Sequence, residues 1–114
     1  MIAATFVPEY TASIFLPALY VGLITGFIAL FGISIQKNDL DVLHDIVGGF
    51  IEVVPFDKCL IICNENGKIL NLAPNIRYEY DYIVGTIVVC GRNKDDFTDI
   101  PISMEEWKKL LSHN

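Results

Sequence analysis

Hydrophobic positions run unbroken through residues 12–35, ASIFLPALYVGLITGFIALFGISI, and only afterwards become periodic. Apart from the phenol of Tyr20, this stretch carries side-chain hydroxyls only at Ser13, Thr25 and Ser34. As a helix it would cover about 36 Å, enough for a hydrocarbon core of about 30 Å. Pro17 falls near its start, where lipid-embedded helices tolerate a kink. The pattern therefore predicts a hydrophobic N-terminal helix, with residues 1–36 acting as a transmembrane anchor. A continuous apolar run does not distinguish helix from fully buried strand, so the alternative is that Ile28–Ile35 is a strand of the following domain. A secretory signal peptide fits poorly, because no basic stretch precedes the run and the run exceeds 7–15 residues.

From Lys37 onward the pattern predicts a small α+β domain over residues 37–114. Asn38 or Asp39 can cap a short helix with Leu40, Leu43 and Val47 as its apolar stripe, and Gly48-Gly49 ends it. Phe50–Val54 reads as a strand stopped by Pro55. Lys58–Asn64 and Lys68–Leu72 flank Asn66-Gly67, the signal for a two-residue hairpin turn that would set Glu65 opposite Lys68. Arg77–Tyr82 alternates aromatic with charged positions, which in an extended strand puts Tyr78, Tyr80 and Tyr82 on one face. Ile83–Cys90 is the most apolar strand of the domain, and Ser103-Met104-Glu105-Glu106 is a capping box opening a last helix. Trp107, Leu110 and Leu111 form the buried stripe of that helix. The fold class expected is α+β: a small, mostly antiparallel sheet with two short helices, preceded by the hydrophobic helix.

Charge changes this picture in two ways. No Asp, Glu, Lys or Arg occurs from Tyr10 to Gln36, and apart from Glu9 every charged residue lies at or after Lys37. By the positive-inside rule, Lys37 places the domain after the anchor in the cytoplasm; without an anchor the whole chain belongs there. The formal net charge of −6 argues against nucleic acid as a partner, since that binding needs Lys and Arg to displace phosphate counterions. Imitation of DNA by Asp39, Asp41, Asp45 and the later acids is outweighed by a plain solvated surface, with Lys94, Lys108 and Lys109 interleaved.

Candidate chemistry is sparse. The sequence has no glycine-rich phosphate loop, no zinc-ligand spacing and no nucleophile elbow. Cys59, Cys63 and Cys90 are odd in number and sit in apolar runs, so reduced, buried thiols are expected. On one strand Cys59 and Cys63 would lie about 13 Å apart, too far for one metal ion. A lone His44 on the first helix suits a surface or capping position. No metal, cofactor or catalytic residue is implied. Gly22 and Gly26, extended by Ala18, make a small-residue face that could associate two membrane helices and give a homo-oligomer.

Val47-Gly48-Gly49-Phe50-Ile51-Glu52-Val53-Val54, then Asn64-Glu65-Asn66-Gly67-Lys68, Pro74-Asn75 and Ile83–Val89, resemble a family of small domains carried by bacteriophages, prophages and other mobile elements. The resemblance covers about Leu40 to Leu111. Family members open with a strand pair ahead of the helix. Here the apolar segment stands in that place and Phe31–Gln36 supplies at most one strand, so a truncated or rearranged sheet is expected. The resemblance implies an accessory protein of a mobile element and no established activity. Among the shared positions Glu52, Asn64, Glu65, Lys68, Asn75 and Asp81 are the candidates for ligand binding. Arg77 and Tyr80 join them from the tyrosine stretch as a possible platform for a base or sugar. The bland reading is that Gly48, Gly49, Asn66, Gly67, Pro74 and Asn75 recur because turns need them.

Two functions follow as expectations. The first is a non-enzymatic, membrane-tethered interaction module with a protein partner or small ligand. The second is a soluble cytosolic protein that binds a host factor or a small nucleotide signal.

Overall fold

The computed structural model describes residues 2–8, 28–34, 40–94 and 96–112. Its main sheet has six strands: β1 (Ile2–Val7), β2 (Ile28–Ser34), β3 (Ile51–Phe56), β4 (Cys59–Asn64), β7 (Ile87–Asn93) and β8 (Asp96–Thr98). The order is β2-β1-β7-β4-β3, and β8 also pairs with β7. Every pairing is antiparallel. A separate hairpin is formed by β5 (Pro74–Tyr78) and β6 (Asp81–Val84), and two helices, α1 (Leu40–Val47) and α2 (Met104–Ser112), complete the described elements.

The hydrophobic N-terminal helix is therefore corrected. Ile28–Ser34, the end of the run expected to be helical, is strand β2, and Ile2–Val7 ahead of it is β1. These two strands pair with each other, and β1 inserts between β2 and β7. Ala3, Ala4 and Phe6 are buried by protein. The misreading has a physical cause: a charge-free apolar run suits a lipid-facing helix and a strand covered on both faces equally well. The truncated sheet is corrected with it, since the strand pair ahead of the helix is present. Among the described residues no helix is long and apolar enough to cross a membrane. Ala18, Gly22 and Gly26 lie outside the described residues.

Strands β4 and β7 sit at the centre, and alternate side chains feed two cores. On one face Leu43 and Val47 of α1 meet Ala3, Leu60, Ile62, Val88 and Cys90. On the other, Ala4, Phe6, Cys59, Ile61, Ile87 and Val89 meet Ile76 and Ile83 of the hairpin and Trp107 of α2. Trp107 stacks on Phe6 with ring centroids 5.3 Å apart and tilts against Phe56 at 5.5 Å. Helix α2 opens with the expected capping box: Glu106 N–H donates to Ser103 Oγ at 3.2 Å, and Ser103 N–H donates back to Glu106 Oε1 at 3.3 Å. Helix α1 ends where glycine permits it. Gly48 adopts φ 84°, and the amides of Gly48 and Gly49 both donate to the His44 carbonyl.

The Asn66-Gly67 hairpin does not form. Neither residue has the positive φ that a type I′ turn requires. Instead residues 65–71 wind into a compact turn, with Leu70 N–H bonded to Asn66 O and Leu72 N–H to Gly67 O. Gly67 answers a different demand, since a Cβ there would meet Val84 Cγ2 at 2.7 Å. The hairpins lie elsewhere: Phe56 is registered with Cys59, Tyr78 with Asp81 and Asn93 with Asp96. Their loops open with Asp57, Glu79 and Lys94, all non-glycine residues with φ between 54° and 57°. The tyrosine stretch accordingly bends in the middle instead of running as one strand.

Candidate functional site

The site grows out of two asparagine side chains that fix backbone. Asn64, at the end of β4, is buried; its Nδ2 donates to Val47 O at 3.1 Å and its Oδ1 accepts from Asn66 N–H at 2.8 Å. One side chain thus ties the end of α1 to the start of the compact turn. Gly49 is small because of it, as a Cβ there would stand 3.0 Å from Asn64 Nδ2. Asn75, at the start of β5, donates through Nδ2 to Phe6 O at 3.1 Å and Gly85 O at 2.7 Å. It holds the hairpin against β1. Backbone carbonyls in such positions need a donor when water is excluded, and these amides supply it.

Between the compact turn and the hairpin the sheet is left partly uncovered, and a groove of about 360 Å³ opens there. That volume lies in the range of small-molecule and side-chain pockets. Its apolar surface comes from Val54 of β3, Ile69 of the turn, and Ile83 and Val84 of β6. Tyr78 and Tyr82 add ring surface. Tyr78 is fixed, since its hydroxyl donates to Pro55 O at 3.1 Å and its ring meets Phe56 edge-on at 6.0 Å.

Three carboxylates, Glu52, Glu65 and Asp81, line this groove with one ammonium group, Lys68, which is ion-paired to Asp81. Both partners of that pair are more than half exposed, so water weakens it and a ligand can displace it. Among the described residues no three His, Cys, Asp or Glu side chains come close enough to hold a metal ion. The carboxylates are spread around the groove rather than converging on a point. Cys63 also lines the groove; burial first, and then the charge of Glu52, push its thiol up to about 11. It donates to Glu52 O at 3.6 Å and is a neutral thiol at neutral pH, not an activated nucleophile.

The eight candidates from the sequence separate cleanly. Glu52, Asn64, Glu65, Lys68 and Asp81 line the groove together. Of these, Asn64 has its amide committed to backbone, so its part is structural. Asn75 is a clamp. Arg77 sits opposite Tyr82 on β5, outside the groove, and Tyr80 is wholly exposed at the hairpin tip. A platform of three tyrosines therefore does not form. Sequence reasoning missed Val54, Ile69, Ile83 and Val84, which carry the groove's aliphatic surface, while Tyr78 and Tyr82 of the expected platform do line it. Strand alternation cannot show them, because the groove lies between elements far apart in the chain.

Residues 29–112 match DUF3846, a domain of unknown function. The chain belongs to this family. The matched range opens inside β2, so the end of the apolar run is part of the DUF3846 domain. It also takes in every groove-lining side chain and both asparagine clamps of the DUF3846 fold, with Phe6, whose carbonyl Asn75 holds, lying ahead of it. No curated protein and no solved structure matches the chain.

Proposed function

We propose that this chain is a non-enzymatic binding module that captures a protein partner by taking one of its basic side chains into the groove between the compact turn and the β5–β6 hairpin. The observation that carries this reading is the lining: Glu52, Glu65 and Asp81 against a single ammonium, over apolar and tyrosine surface. A lysine or arginine side chain matches both parts. Its methylene stem covers Val54 and Val84 while its charge meets the carboxylates, and tyrosine faces add cation–π attraction. The pairing of Lys68 with Asp81 supports the reading that an ammonium group is accepted at this carboxylate.

The same lining disfavours a nucleotide signal, because phosphate would face three carboxylates and Arg77 stands outside the groove. A tether is not needed for this reading, and the described parts of the supposed anchor, Ile2–Val7 and Ile28–Ser34, are strands. An accessory role on a mobile element is carried over from the sequence resemblance, and capture of a host protein is its form here.

Fluorescence anisotropy with labelled peptides tests the reading. Peptides carrying Lys or Arg should bind in a salt-sensitive manner, and Glu52→Lys should weaken them at least about tenfold, or about 1.4 kcal/mol. Equal binding of neutral and basic peptides, or indifference to Glu52→Lys, would sink it.

A further inference from the structure

Strand β3 ends the sheet, and no described strand pairs with its outer side. Which of its backbone groups point outward follows from its own hairpin. A two-residue loop makes the closing pair, Phe56 and Cys59, a hydrogen-bonded pair, and bonded pairs then alternate. Glu52, Val54 and Phe56 direct their amides and carbonyls at β4, and Ile51, Val53 and Pro55 direct theirs away. Two contacts agree. Glu65 N–H donates to Phe50 O at 2.8 Å, continuing the inward phase, while Pro55 O accepts the Tyr78 hydroxyl. Pro55 lacks an N–H and its carbonyl is occupied, so the outer edge is closed at Pro55 and, among the described residues, open at Ile51 and Val53.

The two faces of this strand carry opposite charge. Glu52 and Val54 face the acidic groove. Val53 and Pro55 face a second groove of about 250 Å³, whose other walls include Arg92, Lys94 and Phe97. Asp96 is also present there, and Arg92 Nε donates to Lys94 O at 3.2 Å. That bond leaves the two terminal nitrogens of the Arg92 guanidinium for other partners.

We infer that the partner segment is an extended strand that pairs with the outer edge of β3 at Ile51 and Val53, with a basic side chain in the acidic groove and an acidic side chain toward Arg92 and Lys94. This rests on the reading of the acidic groove as a site for a basic side chain. Successive side chains of an added strand point to opposite faces, so the two charges must be an odd number of positions apart, one or three and never two. Backbone bonds to β3 supply affinity, and the pair of oppositely charged grooves selects the sequence and its direction. The closed edge at Pro55 limits pairing to a short segment.

The experiment uses the full chain and eight-residue peptides of Val and Thr bearing one Lys and one Glu, in both orders and at spacings of one, two and three. Odd spacings should bind at least about tenfold more tightly than the even one. Methylating the peptide amide that faces β3 should cost a similar factor without altering the protein. Val53→Pro removes an outward N–H, together with the Val53 side chain, so it should abolish the preference for odd spacing, and Val53→Ala, which keeps the N–H, should retain that preference. Equal binding of odd and even peptides, or indifference to amide methylation, overturns strand addition. If Glu52→Lys still weakens those peptides, the groove reading survives alone. A dimer that Val53→Pro converts to monomer overturns the inference in favour of a second copy of this chain.

Discussion

On one face of the sheet a single helix, α1, lays Leu43 and Val47 over aliphatic side chains, and its end is tied down by Asn64. On the other face two unlike elements share the work: the β5–β6 hairpin contributes Ile76 and Ile83, and α2 contributes Trp107. One helix covers the middle of its face and leaves only the smaller groove at Val53, Pro55 and Leu60 beside it. The two elements opposite it meet the sheet at different places, and the groove is the part of that face left open beside the compact turn. The difference teaches where binding capacity comes from in a domain this small. The larger groove arises where coverage is divided, and the aromatic stack of Phe6, Trp107 and Phe56 allows the gap by holding that face together elsewhere.

Breaking the stack is the harshest test of this comparison. Trp107 is fully buried, so Trp107→Ala should cost about 3–5 kcal/mol, read as a fall in the urea midpoint. A smaller effect comes from the other face. Asn64→Ala strips the Val47 carbonyl and the Asn66 amide of their partner, and about 1–3 kcal/mol should be lost. Hydrogen exchange should then quicken at α1 and the compact turn together, while α2 stays protected. If α2 loosens equally, the two faces are not separate in the sense argued here.

The most gradual perturbation is alkaline pH. Burial, the main cause throughout, holds the thiols of Cys59 and Cys63 up to about 11 and that of Cys90 up to about 12, from an ordinary 9.0. The unfolded chain releases these protons first, so their contribution to stability is intact below about pH 9 and falls as pH rises toward 11 and 12. Urea midpoints measured from pH 7 to 10 should be level and then decline. A thiol reagent should reach Cys63, in the groove, before Cys90, which is fully buried on the other face.

What was legible in the sequence was local chemistry. The capping box at Ser103 and Glu106, the glycine end of α1 and the Leu43 and Val47 part of its apolar stripe are set by residues close in the chain, while Leu40, expected on that stripe, is exposed. What was illegible depended on distant partners. The run left Ile28–Ile35 open between anchor helix and domain strand; the strand alternative is the one found, because β1 pairs with it, a fact no window of the run contains. Asn66-Gly67 signalled a hairpin, yet Asn64 draws the Asn66 amide to its own side chain and Val84 crowds Gly67. The real hairpins use Asp57, Glu79 and Lys94 in the left-handed region, where a glycine search does not look. The candidate site was half legible for the same reason. Glu52, Glu65, Lys68 and Asp81 stood out as exposed charge, whereas the apolar wall exists only once the hairpin is docked.

The stack of Phe6 on Trp107 joins two rings separated by about one hundred residues, and it sets the timing of assembly on the ribosome. At roughly 5–20 residues per second, Phe6 leaves the peptidyl-transferase centre about 5–20 seconds before its partner is synthesised. For most of that interval β1 lacks β7, and for all of it the indole that stacks on Phe6. A nascent chain therefore carries β1 without its later partners for most of its synthesis, the interval in which chaperones compete for such a strand.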